Sequence, residues 1–340
     1  MIASERVRLV PVHLAFLLFA LMVSCGDDSD GNPPAAEVLT AVVQPLPLPG
    51  PYAVACSNIA QDFTRLGADE DVTDYWEGRP SDSGTPRYVT DLLADPADTL
   101  TVTVTAPQDS DLYGDFAGQA VTFVVLVCYP TTADNPRPDY PLNPPQTAMV
   151  VPHMQTGSEA PLFADASVRY PVVAFSHGYM GSPISDDYFL AISTVASYGY
   201  VVIAPFHGDL RFSDLNISNL EDAIDVASNL DNFTALQALR PLSISAALDL
   251  VLSHPQWRDH LDETQIGGFG VSMGGETMLL LGGAGLTTSF FDIGLSWNRS
   301  PSIRGSRRRS AMCRISGSRS CLHSDATSRG LKASVFRSSG

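Results

Sequence analysis

The residues best placed to do chemistry lie in one short stretch, Gln265 to Leu281. There an apolar run ends in Gly270-Val271-Ser272-Met273-Gly274-Gly275 and passes at once into Glu276-Thr277-Met278-Leu279-Leu280-Leu281. A strand that turns sharply into a helix through Gly-x-Ser-x-Gly lifts the serine hydroxyl out of the sheet, which presents a nucleophile for acyl transfer. Such a bend strains the backbone at its apex and crowds the chain around it, so residues lacking side chains are expected at Gly270, Gly274 and Gly275. Ser272 is the candidate nucleophile. Two other stretches stand at the ends of apolar runs, Phe175-Ser176-His177-Gly178-Tyr179-Met180-Gly181-Ser182 and Ala204-Pro205-Phe206-His207-Gly208-Asp209. A His-Gly turn behind a strand can offer a backbone N–H to a developing oxyanion; a plain tight turn with a surface histidine is the competing reading.

These residues need a scaffold, and its elements are legible from residue 51 onward. Tyr52–Cys56 and the long β-prone run Ala120–Tyr129 are expected as strands, with Leu100–Thr105 alternating at period two as an edge strand. Between Pro130 and Pro171 there are many prolines and no periodicity, which predicts an irregular excursion. Tyr170–Phe175, Tyr200–Pro205 and Ile266–Val271 are then apolar runs separated by helical patterns over Ser185–Tyr198 and Leu236–His254. Strand, helix, strand, helix, strand predicts a mostly parallel α/β sheet covered on both faces.

The three motifs in that order resemble the α/β-hydrolase fold. Within it they are most similar to a lipoprotein-type branch near platelet-activating-factor acetylhydrolases, dienelactone hydrolase-like proteins and polyester-degrading cutinases. The similarity covers about residues 50 to 298 and is strongest from Tyr170 to Gly283. It implies a serine esterase in which the amides of Met273 and Tyr179 are the oxyanion donors, with no metal or organic cofactor. It implies that His177 supports its loop, and that His207 and Asp209, which precede the serine, are not the triad partners, because the acid and histidine follow the serine in chain order. After Ser272 the weak candidates are Asp292 for the acid and His323 for the base. The chain has 68 residues after Ser272, whereas three more strands with crossovers need on the order of 100, so the expectation is an incomplete triad. Losing the base costs on the order of 10⁶ in kcat. The strand carrying Ser272 is then expected to be an unpaired apolar edge.

Composition divides the chain in two. Residues 1 to 298 hold 10 Arg, no Lys and 36 Asp plus Glu, whereas residues 299 to 340 hold 10 basic residues, one acid and 12 serines. Taken at face value the Arg/Ser segment is a basic arm for nucleic acid or anionic lipid. A slip of reading frame near residue 298 in a GC-rich gene accounts for it better, and the acidic body argues against nucleic acid.

At the other end, Arg6 and Arg8 precede an apolar run from Pro11 to Val23, too short to span a bilayer and readable as an export signal. Leu21-Met22-Val23-Ser24-Cys25 resembles the lipobox of bacterial lipoproteins, which implies lipidation at Cys25, a membrane anchor and a place in the cell envelope, on the outer membrane or the periplasmic face. Asp27 to Asp30 lack calcium-ligand spacing and form a solvated tether.

The organisation expected is a signal over 1–24, a tether over 25–50, an incomplete hydrolase domain over 51–298 and the Arg/Ser tail over 299–340. After export, Cys56 and Cys128 could form a disulfide if their strands are neighbours, or remain two buried thiols. Small esters, lipids and polyesters all fit as substrates. The readings from other classes are a non-catalytic binding lipoprotein that kept the fold, and a truncated product without function.

Overall fold

Alternation at period two decides which core each residue of the longest strand enters. The computed structural model describes residues 49–142, 150–156, 159–213 and 231–284. The chain runs through β1 (Ala53–Cys56), α1 (Val72–Glu77), β2 (Thr101–Thr105), α2 (Ser110–Tyr113) and β3 (Ala120–Thr131). A small ladder of β4 (Tyr140–Pro141) with β5 (Val150–Val151) follows, then β6 (Tyr170–Ser176), α3 (Asp186–Ser197), β7 (Val201–Pro205), α4 (Asp231–Ser253), β8 (Leu261–Gly270) and α5 (Met273–Leu281).

Every residue of β3 from Phe123 to Thr131 is buried, because both sides of the strand are covered. Val124, Leu126 and Cys128 enter one core with Phe175, Val202, Phe189 and Ile192, so α3 covers that face. Phe123, Val125 and Val127 enter the other with Val172, Ile203, Leu236, Leu239 and Val251, so α4 covers the opposite face. Each such Val, Leu, Ile or Phe side chain contributes roughly 1.5–3 kcal/mol relative to exposure. Within α4, Thr234–Ser253 is long and apolar enough to cross a membrane, yet half of it is buried inside the protein, and it serves as the core helix of this face.

The strand order is β1-β3-β7-β6-β8, with β2 paired to β3. This mixed sheet corrects the expectation of a mostly parallel one. β6 runs parallel to β7 and β8, whereas β3 is antiparallel to β1, β2 and β7. The reason lies in the excursion after Thr131. Cys128 of β3 sits opposite Val202, and Val172 of β6 opposite Val201, so the chain leaves β3 at the same end of the sheet where it enters β6 and makes no crossover. Parallel strands joined by crossover helices begin only at β6.

From β6 the chain passes through α3 to β7 on one side, then through α4 on the other face to β8 on the far side of β6. The carboxyl ends of β6 and β8 are therefore neighbours whose continuations diverge, which is where open α/β sheets hold ligands. β8 is longer than its apolar run: Leu261 pairs with Tyr170, and a register shift precedes Ile266 opposite Val172. Among the described residues β8 pairs with β6 alone.

Candidate active site

Ser272 has φ 53° and ψ −121°, a conformation that costs a residue with a Cβ roughly 1–3 kcal/mol and persists only where the surroundings impose it. They do so here on both sides. The Val271 N–H donates to the Ser176 carbonyl at 3.2 Å at the end of β6, and the N–H groups of Gly274 and Gly275 turn back to the carbonyls of Val271 and Ser272 at 2.8 and 2.9 Å. A Cβ on Gly274 would lie 1.9 Å from the Ser176 carbonyl oxygen, and one on Gly270 would lie 2.2 Å from the Gly274 oxygen, so both positions demand glycine. Gly275 does not: its nearest neighbour would be the Gly270 oxygen at 3.5 Å, an ordinary contact. Ser272 itself is exposed at the start of α5.

The loop after β6 comes up beside it. A Cβ on Gly178 would stand 3.6 Å from the Ser272 Cβ, an ordinary contact that puts this backbone beside the serine, and 2.5 Å from the Tyr188 hydroxyl, so glycine here makes room for the tyrosine. Tyr179 and Met273, the two residues whose amides sequence reasoning assigned to an oxyanion, both pack on the edge of the α4-side core, half-buried. The Tyr179 hydroxyl bonds to Ser213, and burial pushes its pKa up to about 12.

Beneath the loop lies a buried polar network. Arg240 of α4 makes a two-pronged pair with Asp209, Nε to Oδ1 at 3.0 Å and Nη2 to Oδ2 at 2.6 Å, with both side chains at most 1% exposed. The same guanidinium donates from Nη1 to the His177 carbonyl at 2.7 Å and from Nη2 to the Gly178 carbonyl at 3.1 Å. Asp209 in turn accepts the Met180 N–H at 2.9 Å.

Both nearby histidines are committed to this network. His177 Nε2 accepts the His207 backbone N–H at 3.1 Å, so the ring proton sits on Nδ1 and is donated to the Gly178 carbonyl at 2.8 Å. The Ser243 hydroxyl donates to the Arg240 carbonyl at 2.8 Å, so it accepts from His207 Nδ1 at 3.1 Å, which leaves Nε2 to accept from Ser176 at 2.9 Å. Burial, reinforced by the Arg240 charge, pushes the His177 pKa down to about 4 and holds His207 well below its usual value. Each ring is neutral with both nitrogens engaged.

Of the other residues singled out from sequence, Cys56 and Cys128 are opposite one another on β1 and β3, and their sulfurs are bonded. Cys25, Asp292 and His323 lie outside the described residues. Sequence reasoning missed Arg240, Ser176 and Ser243. Arg240 left one signal: between Thr234 and Ser253 the only charged residues are Arg240 and Asp249, and a lone guanidinium in an apolar helix must find a carboxylate or carbonyls. It also missed Glu276 in the first turn of α5, which accepts from Gln237 at 2.6 Å and whose pKa burial pushes up.

No family model and no curated protein matches the chain. Among solved structures, a ferulic acid esterase from Streptomyces cinnamoneus is similar over 54% of this chain and 53% of its own, at 21% identity and a TM-score of 0.34. This chain thus spans about half the length of that protein.

Proposed function

We propose that this chain is a serine hydrolase of the α/β-hydrolase fold, acting on carboxylic esters through an acyl-enzyme on Ser272. The observation that carries the reading is the positive φ of Ser272, held between a parallel strand and a helix beside the His177-Gly178 loop. Backbone strain at a non-glycine residue on a strand-to-helix bend is what a raised nucleophile requires. The hydroxyl attacks the ester carbonyl, the carbonyl oxygen gains charge, and the amides of Tyr179 and Met273 supply hydrogen bonds to it, each such donor being worth roughly 3 kcal/mol. Collapse of the tetrahedral species breaks the bond to the alcohol oxygen, which takes up the proton given up by the Ser272 hydroxyl, and leaves the acyl group on Ser272. Water then releases it.

His177 and His207 are bound into the loop's support and do not serve as the base; in this reading the triad acid and base are missing from the chain, so acyl transfer at Ser272 is slow. The export signal and the lipid anchor at Cys25 belong to the same proposal and place the enzyme at the cell envelope, where short esters, lipids or polyesters are its substrate class. A second reading, a binding lipoprotein that kept the fold without turnover, draws on the full commitment of both described imidazoles near Ser272. Acyl transfer separates the two. Incubation with p-nitrophenyl butyrate followed by intact-mass analysis is expected to give one butyryl adduct on Ser272, absent from Ser272→Ala. Folded protein that binds the ester yet gains no adduct would favour the binding reading.

A further inference from the structure

We infer that Arg240 and Asp209 are positioning residues for the oxyanion site, a buried ion pair that sets the direction of the Tyr179 N–H. The inference rests on the ester-hydrolase reading of Ser272. Its observations are independent of that serine, because they concern how four consecutive residues of the loop after β6 are held.

The clamp takes hold of the backbone at three points. Arg240 donates to the carbonyls of His177 and Gly178, and Asp209 accepts the N–H of Met180. The Gly178 carbonyl also accepts the His177 ring proton. In a planar trans peptide the C=O and the following N–H point in opposite directions, so tying the Gly178 oxygen toward Arg240 turns the Tyr179 N–H away from Arg240. The peptide that carries the proposed donor therefore cannot rotate without breaking bonds to a charged group. Met180 has φ 57°, a second strained non-glycine residue, and its N–H is the one that Asp209 accepts. That bond holds the loop in a conformation it would not otherwise keep.

Why an ion pair rather than an apolar plug follows from the geometry of guanidinium. Its planar fork serves two carboxylate oxygens and two carbonyls at once, from four N–H groups fixed in one plane. Lysine, with a single ammonium, cannot hold all four acceptors. Oxyanion stabilisation depends on donors already aimed where charge develops, so a loop that must reorient loses most of the effect. Arg240 lies 32 residues before Ser272 on a different helix, and its role is to aim a backbone donor rather than to touch substrate.

The test uses the full chain and three variants, Arg240→Lys, Asp209→Asn and the double change Arg240→Met with Asp209→Asn, which leaves no lone buried charge. Two quantities are read on each folded protein: hydrogen exchange of the peptide spanning residues 175–182, and the rate of Ser272 phosphonylation by a fluorophosphonate probe, separated into its maximal rate and its half-saturating concentration. The expected result is exchange in that peptide at least about 10-fold faster with the β3 and β7 peptides unchanged. The maximal labelling rate should fall about 100-fold, the usual loss for one oxyanion donor, at unaltered half-saturation, with Arg240→Lys intermediate. A merely structural role would slow no chemistry once the variants fold. A labelled wild type whose folded variants exchange and label within about two-fold of it overturns the positioning role alone. A wild type that carries no label on Ser272 overturns the hydrolase reading and this role with it.

Discussion

At the scale of single residues, the bend at Ser272 is governed by two glycines and not by three. A methyl at Gly274 would be driven into the Ser176 carbonyl, and neither strand end can retreat, because β6 and β8 are paired up to Ser176 and Gly270. Gly274→Ala is therefore expected to cost at least ~2–3 kcal/mol, at the upper end of ordinary overpacking. Gly275, in the first turn of α5 with only an ordinary contact waiting, should accept alanine with no loss, or with a gain of up to ~1 kcal/mol from better helix propensity. Urea melts of the two variants against the parent check both signs. Equal losses would mean that the elbow is not packed as described.

The imidazoles give a second residue-scale expectation. His177 is held neutral with its pKa near 4 and His207 is likewise depressed, while an unfolded chain protonates both near 6.5. Above about pH 6.5 neither state binds the proton and the groups have no effect on folding. As pH falls below 6.5 the unfolded chain takes protons that the folded one refuses, so each ring removes about 1.4 kcal/mol of stability per pH unit until its own folded pKa is reached. Ring-proton NMR should show two imidazoles whose shifts stay constant from pH 7.5 to 5. Ordinary titration of His177 and His207 near 6.5 would contradict their burial.

At the scale of elements, what was legible in the sequence follows from the range of the forces involved. The three apolar runs with helical patterns between them became β6, β7 and β8 with α3 and α4, because period and burial act within a dozen residues. The Gly-x-Ser-x-Gly bend was legible for the same reason. The direction of β3 was not, since it is decided by an excursion of almost forty residues without periodicity. Arg240 stayed hidden because its partners, at 177, 178 and 209, become neighbours only when β6 and β7 lie side by side.

The disulfide is the element-scale counterpart. Cys56 and Cys128 tie β1 to β3 across 72 residues, so reduction should lower stability by about 2–5 kcal/mol. Urea midpoints with and without reductant read that difference. No change on reduction would show that the strands are held without the bond.

At the scale of the molecule, the sheet gathers the serine bend and the His-Gly loop at the carboxyl ends of β6 and β8, and α4 reaches under that loop from the opposite face to hold it. Strand order, strained serine and clamped loop thus meet at one end of the sheet. The proposal that most of the rest depends on is that the Ser272 hydroxyl is the group that takes the acyl chain. Its most direct test is tandem mass spectrometry of the full chain after prolonged exposure to a fluorophosphonate. A single phosphonyl group is expected, located on Ser272 and missing in Ser272→Ala. A phosphonyl group on a different residue, or folded protein with no adduct, would contradict it.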